Sequence, residues 1–341
     1  MTDYPVIQIQ PNHADHISGY KESFIQKMMD DSVVVAQPKY DGERMLIHLD
    51  HGKVYCTSRR HSKKTDRFME NQDKLPLLQQ VVKKFAQNFE DFGYTVLDCE
   101  CYCKDWSTVV GILHSLPERA IELQKEDIPH FAVFDCLWLD GKDVRNETYL
   151  TRFMYASQIV DALMYEPIHM VPLMNHIRDK WIPQSFLPDY ITSANRISKY
   201  NEILPCMNAA IDLGFEGIVI KSFDLKYYDK GASLKCKKFE TVDCVVCGYQ
   251  DGRGKYEGSV GALEIGYYDT ASNKVVKISK VNCGTDEDRA DWNANREALL
   301  NTVVEVKCQE ITDKSLRHPV LIRRRPDKDY KMCTKETIFK E

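Results

Sequence analysis

Lys39 ends the apolar run Val33-Val34-Val35-Ala36 and opens the string Lys39-Tyr40-Asp41-Gly42-Glu43-Arg44. An amine at the end of a strand, followed by an acid, a glycine and an arginine, can act as a covalent nucleophile. A free lysine amine titrates at about 10.4 and is almost wholly protonated at neutral pH. Burial and neighbouring cations lower that value. If the electrophile is a nucleotide phosphate, its charge calls for Lys, Arg and a divalent cation. Mg2+ needs only one or two carboxylates, and the base needs an apolar or aromatic face.

Candidates for each need lie on strand-like segments. Leu97-Asp98-Cys99-Glu100 carries Glu100, and Phe131-Ala132-Val133-Phe134-Asp135 carries Phe134. Glu216 to Lys221 sets a carboxylate and an amine at opposite ends of an apolar strand. Lys235-Cys236-Lys237 puts two lysines on one face, because strand side chains alternate. Two such charges repel unless an anion lies between them. Taken singly, each is a solvated strand end or, for Phe134, plain core, and a short K-x-D-G string also arises by chance.

The elements that must hold these residues are legible in outline. Residues 22–31 read as a short helix. Glu43–Leu49 and Lys53–Ser58 alternate as strands joined by the turn Asp50-His51-Gly52. Helical spacing covers residues 73–89, Thr148–Tyr165 and Leu204–Leu213, the last stopped by Gly214. Tyr94–Tyr102, His130–Leu139 and Phe215–Lys221 read as strands. Beyond about residue 240 the pattern changes to short strands at Val242–Tyr249, Gly261–Tyr268, Lys274–Val281 and Val303–Cys308, with one helix near 285–300. The fold class expected is α+β: a first domain over 1–240 with antiparallel sheets, then a small β-barrel such as an OB-fold over 241–341.

Composition fits a chain of 341 residues with two cores, 43% hydrophobic and 28% charged. No stretch approaches the ~20 apolar residues of a membrane span, and Met1-Thr2-Asp3-Tyr4-Pro5 carries no secretory signal pattern. The twelve cysteines alternate within strands or stand alone, as in Cys99, Cys101 and Cys103. They read as small hydrophobes in a reducing cytosol. Cys244-Val245-Val246-Cys247 has no second pair at metal spacing, and the ten histidines show no ligand spacing. Net charge is −5, but from Lys314 onward nine Lys or Arg face four Asp or Glu. Such a basic end is either solvated or a phosphate-binding element, and Arg323-Arg324-Arg325 leans to the second. Gly252-Arg253-Gly254-Lys255-Tyr256-Glu257-Gly258 precedes a strand rather than a helix, so it reads as a turn and not a dinucleotide loop.

The ordered set of motifs resembles that of the ATP-dependent DNA ligases, within the covalent nucleotidyltransferases and of the compact two-domain phage or viral type. K-x-D-G is Lys39 to Gly42 with Arg44 following, and S-R is Ser58-Arg59. The L-D-G-E motif appears as Leu97-Asp98-Cys99-Glu100, and F-D-x-L-x-L-D-G as Phe134 to Gly141. E-G-x-x-x-K is Glu216 to Lys221, K-x-K is Lys235 to Lys237, and R-x-D-K is Arg325 to Lys328. The resemblance implies an ATP-grasp-like nucleotidyltransferase domain followed by the OB-fold. It implies that Lys39 forms the lysyl-AMP, Glu100 contacts the ribose and Phe134 stacks on adenine. Gln37 sits where many relatives contact adenine. Glu216, with Glu100, would hold Mg2+ or Mn2+, and Lys221, Lys235 and Lys237 would hold phosphates. Arg44 and Arg59 would serve ribose and phosphate groups, and Arg325 and Lys328 would orient the pyrophosphate of ATP. Three positions depart from the pattern: Cys99 replaces a glycine, which a strand tolerates but which could crowd the nucleotide, Arg60-His61 replaces an N-G pair, and Leu234 replaces an aromatic.

The activity so implied is nick sealing with ATP through a lysyl-AMP and a DNA-adenylate, serving repair, replication and recombination. The alternatives are an RNA ligase, an mRNA-capping guanylyltransferase, and a nick-binding protein without catalysis. The segment from Glu305 to Pro319 and the short N-terminus favour a compact DNA enzyme. The implied partner is nicked double-stranded DNA, encircled or clamped by a monomer. The implied location is cytoplasmic, in the host cell for a phage or virus, with no membrane partner and with a hinge near Phe239–Asp243.

Overall fold

The computed structural model describes residues 6–63, 65–86, 93–185, 195–312 and 314–339. The chain divides into two compact units, Met1–Cys236 and Lys237–Glu341. In the first, the Lys39 strand (Val34–Lys39) pairs antiparallel with the Lys221 strand (Gly217–Ser222). The Lys235 strand (Ser233–Lys237) and the short Asp15–His16 complete a four-stranded sheet. A larger sheet runs in the order Arg67–Glu70, Lys53–Ser62, Glu43–Asp50, Thr95–Tyr102, His130–Leu139 and Lys142–Asp143, all antiparallel. Ile168–Met170 adds to it in parallel. The turn Asp50-His51-Gly52 supplies two positive φ values, His51 at 43° and Gly52 at 78°, as the favoured two-residue hairpin turn requires.

Side-chain alternation decides which face of each sheet is dry. In the four-stranded sheet Val34, Ala36, Ile218, Ile220, Leu234 and Cys236 pack against Ile25, Met28 and Met29 of the helix Glu22–Asp31 and Ile203, Cys206 and Ala210 of the helix Ile203–Asp212. Their neighbours Gln37, Lys39, Val219, Lys221 and Lys235 therefore point to the opposite face. In the larger sheet Met45, Ile47, Leu97, Cys99, Cys101 and Val133 pack against helices Pro76–Ala86, Trp106–His114 and Tyr149–Leu163. Arg44, Asp98 and Glu100 take the other face.

That alternation breaks at Phe134. Asp98 pairs with Asp135, but Cys99 pairs with Val133, so Phe134 is an extra residue between them. Val133 and Cys136 both reach the same core, which a regular strand would forbid. A bulge of this kind re-aims a side chain, and it leaves Phe134 part-exposed on the polar face.

The helix expected over 73–89 begins at Pro76, after a 3-10 turn Gln72–Lys74, because proline suits the first turn of a helix. Its residues 87–89 lie outside the described residues. The helix near Thr148–Tyr165 spans Tyr149–Leu163, with Thr148 as its cap and Met164 in the left-handed region at φ 45°. The helices Trp106–His114 and Pro117–Leu123, and the hairpin Leu173–Ile177 with Lys180–Gln184, were not anticipated from the pattern.

In the second unit Glu240–Asp251, Val260–Asp269, Lys274–Val281, Val303–Cys308 and the unanticipated Val320–Arg324 form one five-stranded antiparallel sheet. Trp292 of the helix Asp286–Ala294 is sealed into its core. This helix ends before the expected residue 300, passing into a 3-10 turn at Arg296–Leu299. The glycine-rich segment is a turn: Gly252 N–H donates to Ser259 O at 2.8 Å, and a Cβ on Gly252 would meet Tyr256 O at 2.1 Å. Asp313 lies outside the described residues.

His48 is fully buried in the larger sheet, with Nδ1 2.6 Å from Tyr94 Oη and Nε2 2.8 Å from Thr57 Oγ1. Burial pushes its pKa down to about 3. The native state thus holds the ring neutral, while the unfolded chain binds a proton below about 6.5. Stability from this residue is present above pH 6.5 and is lost as pH falls toward 3. At pH 5 the loss is about 2 kcal/mol relative to pH 7. Urea unfolding between pH 7 and 5 should show His48→Gln with a correspondingly shallower pH dependence; an unchanged slope contradicts this.

Candidate active site

The two polar faces carry the residues that the sequence singles out. Lys39 ends its strand opposite Gly217, and Glu216 N–H donates to Lys39 O at 2.9 Å. That pairing brings the two side chains together: Lys39 Nζ donates to Glu216 Oε2, with the carboxylate largely buried. The next turn is sterically closed. A Cβ on Gly42 would sit 2.2 Å from Cys101 O, so only glycine lets the chain pass the Glu100 strand (Thr95–Tyr102) this closely.

Arg44 faces Glu100 across the sheet and reaches to Asp98. Its Nε donates to Asp98 Oδ1 at 2.8 Å and its Nη2 to Oδ2 at 2.5 Å; Nη2 also donates to Tyr227 Oη at 3.0 Å, and Nη1 to Asn12 O. Tyr227 Oη donates in turn to Asp98 Oδ2 at 2.5 Å. Burial opposes the charge on Arg44, but Asp98 and its hydrogen bonds outweigh that and raise its pKa. A second buried pair lies nearby: Arg152 Nε donates to Asp135 Oδ1 at 2.7 Å and Nη2 to Oδ2 at 3.0 Å. Asp98, Asp135, Arg152, Tyr149, Tyr227 and Asn12 were not singled out as site residues. The aspartates lie inside quoted motifs, but nothing local in sequence marks their distant partners.

Phe134 stands between cations, its ring centroid 5.1 Å from the Arg44 guanidinium and 5.4 Å from Lys221 Nζ. Lys221 also sits 4.8 Å from the ring centroid of Tyr149. Burial lowers the Lys221 pKa to about 8, Asp135 opposing and Arg44 and Arg152 assisting. Burial pushes Glu100 up to about 7; Lys39 and Arg44 oppose this, while Glu216 and Asp98 add to it. Glu100 and Glu216 thus sense each other as like charges beside one lysine. Both are carboxylates, the ligand type that a hard divalent cation takes.

Gln37 shares the face of Lys39 and is 2% exposed. Its carboxamide oxygen lies 3.1 Å from Tyr149 Oη, while its Nε2 has no partner among the described residues. Cys99 lies in the core on the far side of the strand, its Sγ 3.2 Å from Met45 O. It therefore does not crowd the polar face, contrary to expectation. Leu234 is likewise core. Arg59 is exposed with Nη1 3.4 Å from the His13 ring, and Arg60 lies 3.7 Å from Glu43.

Lys235 faces the polar side of its strand, paired in register with His16. Lys237 belongs to the second unit, where its Nζ donates to Gln309 Oε1 at 2.7 Å. Arg325 and Lys328 also have partners within that unit. Arg325 Nη1 donates to Asp243 at 3.1 Å and its Nη2 to Asp327 at 2.8 Å, while Lys328 Nζ donates to Asp243 at 2.9 Å.

Residues 14–238 match the family model described as the ATP dependent DNA ligase domain. The chain belongs to that family, and its first unit is the nucleotidyltransferase domain of ATP-dependent ligases. It is similar to the DNA ligase of Pyrobaculum islandicum, 27% identical over 301 residues that cover 83% of this chain and 45% of that protein. It is similar also to the DNA ligase of Caldivirga maquilingensis, 27% identical over 303 residues covering 83% and 44%. The chain thus spans under half the length of these curated relatives, which are archaeal and lend no support to a phage or viral origin. Among solved structures, Pmar-Lig_PreS3 superposes with a TM-score of 0.67 at 18% identity, covering 93% of this chain and 68% of that one. A structure from work on Lig E DNA ligases as a minimal DNA-binding scaffold superposes at 0.61 and 15% identity, covering 94% and 100%. At these identities the likeness is one of fold.

Gly42→Ala should lower the unfolding free energy by about 1–3 kcal/mol, because the added methyl overpacks against backbone. Thermal unfolding measures this, and a melting temperature equal to that of the unsubstituted protein would refute the close approach.

Proposed function

We propose that the chain is an ATP-dependent DNA ligase that seals nicks through a lysyl-AMP and a DNA-adenylate. The carrying observation is the Lys39–Glu216 pair, with Lys39 on one strand face with Gln37 and Lys221 and with Glu100 nearby. In the first step the Lys39 amine attacks the α-phosphate of ATP. The P–N bond forms, the bond to pyrophosphate breaks, and the Lys39 proton passes to Glu216, whose carboxylate accepts a hydrogen bond from Lys39 Nζ. The AMP then moves to a 5′-phosphate, and the adjacent 3′-hydroxyl attacks and releases AMP. Positioning and charge neutralisation carry most of the rate.

Phe134 offers a ring for adenine, Gln37 a polar contact to its edge, and Glu100 a partner for the ribose. Lys221, Lys235 and Lys237 would meet phosphates. Arg44 and Arg59 would serve ribose or phosphate, though Arg44 could do so only alongside its bonds to Asp98. Arg325 and Lys328 would orient pyrophosphate, in competition with Asp243. Mg2+ or Mn2+ fits the carboxylates Glu216 and Glu100 and would supply neutralisation of phosphate charge. Domains at 1–240 for adenylation and 241–341 as an OB-fold, an ATP-grasp-like plan, a monomer clamping nicked DNA, and roles in repair, replication and recombination complete the proposal.

Radiolabelled ATP with Mg2+ should label the protein covalently, Lys39→Ala should abolish labelling while the fold persists, and nicked duplex should be sealed with ATP but not NAD. Labelling by GTP alone would instead indicate a capping enzyme. Binding of nicked DNA should weaken steeply with salt, since phosphate contacts release counterions; salt-independent binding argues against a phosphate-tracking surface.

A further inference from the structure

Tyr149 is a fully buried side chain whose hydroxyl is shared between two claims. It lies 2.9 Å from Phe134 O and 3.1 Å from the carboxamide of Gln37. A neutral phenol has one proton to give, and burial raises the pKa of Tyr149 far enough to keep it there. The carbonyl of Phe134 has the stronger claim. Phe134 is the bulged residue, left out of the pairing with the Glu100 strand, and its carbonyl is the nearer of the two, at 2.9 Å against 3.1 Å. The hydroxyl therefore donates to Phe134 O and must accept from Gln37. Only the NH2 end of the carboxamide can donate. Since the two ends have nearly the same shape, hydrogen count decides between them. Exchanging the two ends, so that Nε2 rather than the oxygen lies at Tyr149, leaves the oxygen as the end without a partner among the described residues.

We infer that Tyr149 is a positioning residue for nucleobase choice: it holds Gln37 with its carbonyl outward, as an acceptor for an exocyclic amine. Adenine presents such an amine at its six position, whereas guanine presents a carbonyl that would face oxygen to oxygen. The inference rests on the nucleotide-binding reading above and adds to it a residue outside the motifs. Gln37 lies on the same strand face as Lys39, and Tyr149 contacts the Phe134 backbone, so one hydroxyl ties the base-edge contact to the stacking ring. The free end of Gln37 is buried here, so a base must displace what covers it to reach it.

The test measures equilibrium binding of ATP and GTP to Lys39→Ala proteins, which separates base choice from covalent transfer. With Tyr149 present, ATP should be preferred on the order of 10-fold or more, the range of one buried hydrogen bond made or left unmade. Tyr149→Phe should bring that ratio to within about threefold, because the freed carboxamide can present either end. Adding Gln37→Glu to Tyr149→Phe should restore the preference, since a carboxylate accepts at both ends. Gln37→Met with Tyr149 intact should lose the preference and serves where Tyr149→Phe folds poorly. Equal weakening of both nucleotides by Tyr149→Phe, no restoration by Gln37→Glu, or no nucleotide binding at all overturns the inference. Selective ATP binding by Lys39→Ala without any labelling of the lysine-bearing protein would overturn the ligase reading and leave this one standing.

Discussion

Two carboxylates without solvent exposure, Asp98 and Asp135, constrain the rest of the first unit. A buried charge that loses its partner costs about 3–5 kcal/mol, so Arg44 and Arg152 are held in place as firmly as core residues. Asp98 gathers Arg44 and Tyr227, and these gather Asn12. Segments far apart in sequence are thereby fixed to one spot on the sheet, at the foot of the turn that carries Lys39. Arg44 follows Gly42 closely because the glycine lets the chain pass the Glu100 strand, and the arginine then bolts it there. Within the K-x-D-G-E-R string, position and anchorage are supplied before any contact with a ligand.

Beside those two committed arginines, burial works against the charges of Lys221 and Glu100. Lys221 leans on the rings of Phe134 and Tyr149, with Arg44 and Arg152 working against its charge. Cation–ring contacts stabilise it by about 0.5–2 kcal/mol, less than a hydrogen-bonded anion would. Glu100 and Glu216 repel each other beside a single lysine. Burial that works against the charge of both an amine and a carboxyl on these polar faces is a conflict that a core would eliminate and that a site retains.

Much of this was readable from local pattern. Lys39, Lys221 and Gln37 share a face because strand alternation is a local rule, whereas Glu216 lies just before its strand and meets Lys39 through the pairing of the two strands. Three things were not readable. The bulge at Phe134 shifts parity in mid-strand, and its cause is the pairing of Asp98 with Asp135. Tyr149 and Tyr227 look like ordinary core tyrosines, since their partners lie at sequence separations of 112 and 129 residues. Cys99 invited concern because of the glycine it replaces, yet parity with Leu97 already turned it toward the core.

The basic C-terminal stretch shows the same limit more sharply. Its excess of cations is local in sequence but not in space. Arg317 lies 3.4 Å from Glu310, Arg325 3.1 Å from Asp243, and Arg323 and Arg324 pair with Glu305 and Asp291. Carboxylates from earlier strands and the helix Asp286–Ala294 thus offset much of the charge that the tail displays on paper. Arg325 and Lys328 converge on one aspartate, Asp243, and a phosphate offers more acceptor oxygens than that carboxylate does. The pairing therefore keeps two cations together at one carboxylate.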